Sequence, residues 1–450
     1  MISNRVKESV EWHKNDSPPP PSNPPGFIGM DLAENWLIRP DELPTMRKAI
    51  QCDFDDHNLS YSRSIPGAVE LLEATATFFN KFFAPRVPVV ADHVGCQGGA
   101  KEILDCLVYS ICDEGEAVLI DAPFWSGFGN AAHLRNNNQL VEVQRPKEFT
   151  DKAAIIRHYE EALESARYRV RGIMVCNPHN PYGHIYPNSY MEAVLQFCEK
   201  HDIHYISDEI YGLTTWGHSN HGCTESKDII ESPEKKFTSV LSLDLKELKI
   251  NPARVHVVYS ISKDLGSSGL RLGVLVTQNN LDLRNSVFTI ERDTVSNATV
   301  VMTLALFKDL RITKSWLDNS RSLLHKSADY ISGFMEFHKI PFYHPVAGVF
   351  VWARLGGRDA TEDLDLALWH KISAAGAALA YGAAFHEKER GWFRITFALR
   401  HDDLVEGLHR IETGMGKKRS YKAPLSTKTR QEQDQAGKVE AVRTGGCITM

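Results

Sequence analysis

VHVVYSISKDLGSSGLRLG (Val255–Gly273) decides the reading of this chain. Its first six residues are a short, mostly apolar run bounded by serine, the pattern of a strand buried on both faces. That run opens directly onto Lys263 and a glycine- and serine-rich turn that carries Arg271. A lysine at the mouth of a sheet loses solvent, its pKa falls, and the neutral amine suits imine formation. Arg271 and the hydroxyls of Ser260 and Ser262 are phosphate-type donors, and the glycines let backbone approach an anion. Alone, the stretch reads equally as a surface lysine in a Gly/Ser turn.

On either side, strand-like and helix-like patterns alternate. Residues 69–83, 101–112, 152–166 and 189–201 have helical spacing, and 117–120, 172–175, 203–207 and 255–260 read as short buried strands. Strands that alternate with helices and end in polar or Gly/Pro turns predict an α/β fold with a mostly parallel sheet. In such sheets ligands sit at the carboxyl ends of the strands. Residues 281–338 read as largely helical, 346–355 and 392–397 as strands and 402–413 as a last helix, which makes a second, smaller α+β domain. The expected organisation is a flexible proline-rich arm over 1–26 (SPPPPSNPPG at Ser17–Gly26), then a segment over 27–60 that packs with the small domain. A large domain over 61–300, the small domain over 301–414 and a disordered basic tail over 415–450 follow.

Composition excludes several classes. The 450 residues are 42% hydrophobic, enough for a large core and too apolar for a disordered chain. Net charge is −6, so no basic field points to nucleic acid. The longest apolar-leaning stretch, near 374–385, is too short to span a bilayer, and the N-terminus lacks a signal-peptide core. Eight scattered cysteines without C-x-x-C spacing read as reduced thiols in a cytoplasmic protein, and no metal-ligand set stands out.

Three further segments bear on the lysine. NPHNPYG (Asn177–Gly183) ends the strand IMVC and places the Asn180 amide at the crevice. SDEIYG (Ser207–Gly212) ends the strand IHYI with Asp208 and Tyr211. DAPFWSGF (Asp121–Phe128) follows another strand with Phe124 and Trp125. A carboxylate, a phenol, an amide, an aromatic face, an anion cradle and a lysine on neighbouring strand ends are the parts of a pyridoxal phosphate site. These segments, with MDLAENW (Met30–Trp36), AGVFVW (Ala347–Trp352) and GWFRITFA (Gly391–Ala398), resemble the class I/II aminotransferases of PLP fold type I, closest to the 1-aminocyclopropane-1-carboxylate (ACC) synthase branch. The resemblance runs over roughly residues 24–412.

It implies pyridoxal 5'-phosphate as cofactor, with Lys263 forming the Schiff base and then moving protons through a quinonoid intermediate. Asp208 is implied to face the pyridinium nitrogen, Tyr211 and Asn180 the ring oxygen, and Trp125 the ring face. Gly98, Gly99, Ala100, Ser260, Ser262 and Arg271 are implied at the phosphate, aided by a helix N-terminus. Tyr61 matches a tyrosine that reaches a neighbouring subunit's phosphate, which implies a homodimer; a buried structural tyrosine reads as well. Arg394 is implied to clamp the α-carboxylate of an amino-acid-type substrate, and Glu34 either lies near that substrate or forms a simple salt bridge.

The chain departs from the pattern in three places. Cys96, Gln97, Gly98 and Gly99 replace a hydroxyl-bearing phosphate loop, Trp36 stands where glutamine is common, and Ser268 where the synthases often carry proline. Transamination of an α-amino acid, in a fungal secondary-metabolism setting, is the first reading. A carbon–sulfur lyase is the second and a non-catalytic cofactor-binding regulator the third. The chain ends Cys447-Ile-Thr-Met450, which fits a prenylation signal and also a chance cysteine; prenylation would give weak membrane association only.

Overall fold

The computed structural model describes residues 21–422 except 62–66, 145–148, 218–228, 291 and 293, together with residues 3, 6, 7 and 11. The C-terminal Cys447 motif and residues 17–20 of the proline arm lie outside the described residues.

Seven strands form the large sheet: β1 (Val94–Gln97), β2 (Ala117–Ala122), β3 (Gln139–Gln144), β4 (Val170–Cys176), β5 (His204–Asp208), β6 (Val255–Ser260) and β7 (Gly273–Val276). Their spatial order is β1-β7-β6-β5-β4-β2-β3, and only β7 runs antiparallel to its neighbours. Both faces are covered, and the alternation along each strand records it. Ala117 and Leu119 of β2 join one core cluster while Val118 and Ile120 join the other; Ile173 and Val175 of β4 part from Met174 in the same way. A strand buried on both sides has no polar face, which is why these runs read as continuous apolar stretches. The parallel strands bring Gln97, Ala122, Cys176, Asp208 and Ser260 to one edge.

A smaller sheet is built from β8 (Phe342–Tyr343), β9 (Phe350–Arg354), β10 (Ala380–Tyr381) and β11 (Trp392–Thr396). Within it β10 pairs with β11, β11 with β9 and β9 with β8, all antiparallel. A two-residue strand, Ile229–Ile230, extends this sheet in parallel with β8, although it comes from the middle of the chain. The stretch 281–338 resolves into helices Leu281–Ile290, Asn297–Phe307 and Leu310–Phe337. Near the N-terminus, Ile28–Gly29 pairs with Ala377–Ala378, and the Thr396 N–H donates to the Met30 carbonyl at 2.9 Å. Residues 30–36 therefore pass from the small sheet to the Lys263 turn.

The polar segment that begins at 415 starts as packed structure. Tyr421 is buried against helix Leu310–Phe337, its hydroxyl donates to the Tyr330 carbonyl at 3.0 Å, and its N–H donates to the buried Glu412 carboxylate at 3.0 Å. Residues 423–450 lie outside the described residues.

Candidate active site

β6 ends at Ser260, whose hydroxyl oxygen accepts the Ser262 N–H at 3.1 Å and so caps the single helical turn Ile261–Asp264. The same hydroxyl donates to the Leu272 carbonyl and lies 2.7 Å from the Ser262 hydroxyl, so both serines are engaged with their own turn. Lys263 stands on that turn. Its backbone carbonyl accepts from Asn35 Nδ2 at 3.2 Å, and Asn35 also donates to Ser320 Oγ at 3.0 Å. Lys263 Nζ donates to the Ala33 carbonyl. Burial pulls the ammonium down to about 8; Arg394 and Arg271 add to the shift, while Glu34 and Asp208 oppose it.

Asp208 closes β5 and is 4% exposed. Burial pushes its carboxyl up to about 7, against the Ile210 N–H (3.2 Å) and the Lys263 charge. Tyr211 is buried edge-on to Phe350, and burial pushes its phenol up while Arg394 pulls it back. Arg394 comes from β11. Its Nη1 donates to Asn180 Oδ1 at 3.1 Å and its Nη2 to the Asp31 carbonyl, and its guanidinium lies over two rings, 5.0 Å from the centroid of Phe350 and 4.9 Å from that of Phe385. Among the described residues no carboxylate pairs with this buried cation, and its Nε has no partner. The Asp31 charge acts on it without a direct ion pair. A buried charge with no direct counter-ion is costly, so this guanidinium is suited to receive an anion from solution.

The third part is an anion cradle. β1 ends at Gln97, and Gly98 and Gly99 lead into helix Ala100–Ile111, whose first N–H groups have no partner within the helix. Gly99 has φ +124°, and a β-carbon there would lie 2.2 Å from Arg271 Nη2; one on Gly273 would lie 2.2 Å from the Gly99 carbonyl carbon. Glycine at these positions lets the Arg271 guanidinium close over the helix N-terminus. Arg271 Nη1 donates to the Ser268 carbonyl at 3.0 Å and Nη2 to Glu102 at 3.3 Å. Trp125 is half-buried, packed over Gly127 and edge-on to Phe128.

Glu34 accepts from Ser268 Oγ at 2.6 Å and pairs with Arg39 at 3.1 Å. Burial acts to raise its pKa, but those two donors outweigh it and hold the carboxyl below its ordinary value. Arg39 in turn lies 3.8 Å over the Trp36 ring. Tyr61 is not brought into this cluster within the chain: it is 89% exposed, beside Asn297 and Val300. The structure thus gathers Lys263, Asp208, Tyr211, Asn180 and Arg394, and sets Gly98, Gly99, Ala100 and Arg271 together at the adjoining edge. Asn35 and the Ala33 carbonyl, which hold the lysine, were not among the residues expected to work there. Their contacts to Lys263 cross about 230 positions of sequence, and no local pattern carries such a signal.

A family model described as aminotransferase class I and II matches residues 28–411. The probable aminotransferase gliI of Aspergillus fumigatus is 41% identical over 92% of this chain and 96% of that protein. The chain belongs to the class I and II aminotransferases. Another relative, the 1-aminocyclopropane-1-carboxylate synthase 1 of Cucurbita pepo, is 28% identical over 94% of this chain and 86% of its own length. An aspartate aminotransferase double mutant from Thermus thermophilus shares the fold, with TM-score 0.71, 18% identity and coverage of 92% of this chain and 99% of that one. The family expected from the seven segments is the one found, and its cofactor is pyridoxal 5'-phosphate. The residues present fit that group: the cradle at Gly99 would be filled by any β-carbon, and the Arg394 Nε is buried without a partner beside the lysine site. Among the described residues no helix is long and apolar enough to cross a membrane.

Proposed function

We propose that this pyridoxal phosphate enzyme is an aminotransferase whose substrate is an α-amino acid or a molecule derived from one. The observation that carries the substrate class is Arg394, a buried guanidinium with an unpartnered Nε, held by Asn180 and two aromatic rings in a setting that matches an α-carboxylate.

Bound pyridoxal phosphate supplies the electron sink that acidifies the substrate's α-hydrogen. The chain's residues do the rest. Lys263 holds the cofactor by its amine and then moves the α-proton, a task suited to a pKa drawn down to about 8. Asp208 would meet the ring nitrogen, Tyr211 and Asn180 the ring oxygen, and Trp125 the ring face. Gly98, Gly99, Ala100 and Arg271 would hold the phosphate, with Ser260 and Ser262 shaping the turn above it. Arg394 orients the substrate so that its α-hydrogen faces Lys263, and Glu34 and Trp36 form part of the opposite wall. Tyr61, exposed in one chain, fits the phosphate of a second subunit, and the working unit is then a homodimer.

The likeness to an ACC synthase keeps elimination as the alternative outcome of the same proton removal. The test is a single turnover of the cofactor-loaded enzyme with a panel of amino acids, cysteine conjugates and methionine derivatives, without keto-acid acceptor. Stoichiometric keto acid with the cofactor left in its pyridoxamine form supports transamination. Catalytic release of ammonia or a thiol, with pyridoxal phosphate retained, refutes it in favour of a lyase.

A further inference from the structure

The cradle residues Cys96 to Ala100 include no hydroxyl, and the buried Gln97 amide is turned inward to donate to the Val287 carbonyl at 3.1 Å. The Gly99 N–H donates to the Gln97 carbonyl at 2.7 Å, so the loop itself offers an anion no side-chain donor and few open backbone N–H groups. A hydroxyl arrives from elsewhere. Thr294, on the connection between helices Leu281–Ile290 and Asn297–Phe307, accepts the Gly98 N–H on its Oγ1 at 2.9 Å. Its oxygen is 3.6 Å from where a β-carbon of residue 98 would stand, so it occupies the neighbourhood that a serine at 98 would serve. The oxygen accepts that N–H, and among the described residues nothing accepts the hydroxyl proton, which leaves it available to donate.

The strut that carries Thr294 is tied to the arginine of the cradle. Ser296 caps helix Asn297–Phe307 by accepting the Thr299 N–H at 3.2 Å, and the Thr299 hydroxyl donates to the Leu270 carbonyl at 2.9 Å, one residue before Arg271. Val295, next to Thr294, packs against the core. Thr294 is thus held by its neighbours while its side chain stays exposed at the loop.

We infer that Thr294 is a cofactor-binding residue: its hydroxyl donates to the phosphate of pyridoxal phosphate and supplies the hydroxyl that the Cys96–Ala100 loop lacks. The inference rests on the pyridoxal phosphate reading of the site. One hydrogen bond to a charged acceptor corresponds to at least about tenfold in affinity.

The experiment compares wild type, Thr294→Val, Thr294→Ser and the double variant Gly98→Ser/Thr294→Val by equilibrium dialysis against pyridoxal 5'-phosphate and, separately, against pyridoxal, which has no phosphate. Thr294→Val is expected to bind the phosphorylated cofactor about tenfold more weakly and pyridoxal as wild type does. Thr294→Ser should bind both like wild type, and Gly98→Ser should restore the affinity lost in Thr294→Val. Unchanged affinity for pyridoxal phosphate in Thr294→Val overturns the assignment, as does an equal loss for both ligands, which would mark a structural role. If wild type itself binds neither ligand, the cofactor reading falls, and this inference with it.

Discussion

Two adjacent glycines in the cradle should respond very unequally to the same substitution. Gly99 has φ +124° and ψ +161°, a region essentially confined to glycine, so alanine there carries about 1–3 kcal/mol of backbone strain. Its β-carbon would also lie 2.2 Å from Arg271 Nη2 and 2.8 Å from Glu102 Oε2. The guanidinium is the free end of a long side chain and will yield before the backbone does, so it leaves the helix N-terminus. Losing one charge-assisted bond to a phosphate is worth about 1.5–3 kcal/mol, roughly 10- to 100-fold in cofactor affinity. Gly98 has no positive φ, and its β-carbon would meet Thr294 at 3.4 Å, an ordinary contact. Gly98→Ala should therefore stay within about 0.5 kcal/mol of wild type. Equilibrium dialysis of pyridoxal phosphate, with denaturant unfolding of the cofactor-free proteins, measures both terms. Equal affinities for Gly99→Ala and Gly98→Ala would refute the strained, arginine-covered geometry on which the cradle rests.

Other predictions follow from the buried groups. In cofactor-free protein, Lys263 should react with an amine-modifying reagent with a midpoint at about 8, more than two pH units below an ordinary lysine, as read by peptide mass spectrometry across a pH series. Lys263→Ala should lose turnover, and an active variant would remove the lysine from the mechanism. Asp208 holds its proton to about 7 in the folded protein, against about 3.9 in an unfolded chain. Between those values the folded state binds the extra proton, so Asp208's contribution to stability declines as pH rises. Cofactor-free Asp208→Asn should consequently gain on wild type by up to about 1.4 kcal/mol per pH unit from pH 5 to 7, measured by urea unfolding. A constant difference would contradict the assignment. Asn35→Ala removes the bonds to the Lys263 carbonyl and to Ser320 and should cost about 2 kcal/mol of stability, whereas an unchanged unfolding midpoint would show that these bonds do not hold the turn.

Much of the fold is legible in local pattern because burial imposes it residue by residue. The apolar runs at 117–120, 172–175 and 255–260 are strands because both of their faces pack, and the turn chemistry after each one marks the ligand edge. The two-residue strand Ile229–Ile230 is too short to have a period, and its sheet partner β8 lies more than a hundred residues away. The packing of Tyr421 is hidden for a related reason: a lone aromatic in a polar, basic segment carries no periodicity, and its pocket is made by helix Leu310–Phe337.

The candidate site divides in the same way. Residue identity fixed which chemistry was available: Lys263, Asp208, Tyr211, Asn180 and Arg394 stand in short segments distinctive enough, in combination, to indicate the family and its cofactor. Tertiary structure alone decided which polar atoms face one another. It placed Asn180 against Arg394 across 214 positions, gave Glu34 to Ser268 across 234, carried Thr294 to Gly98 across 196, and left Tyr61 outside the cluster of its own chain. The physical reason is range. Periodicity and turn propensity act over a few residues, whereas a hydrogen bond between remote strand ends forms only when the large sheet, the small sheet and the N-terminal segment close on one another.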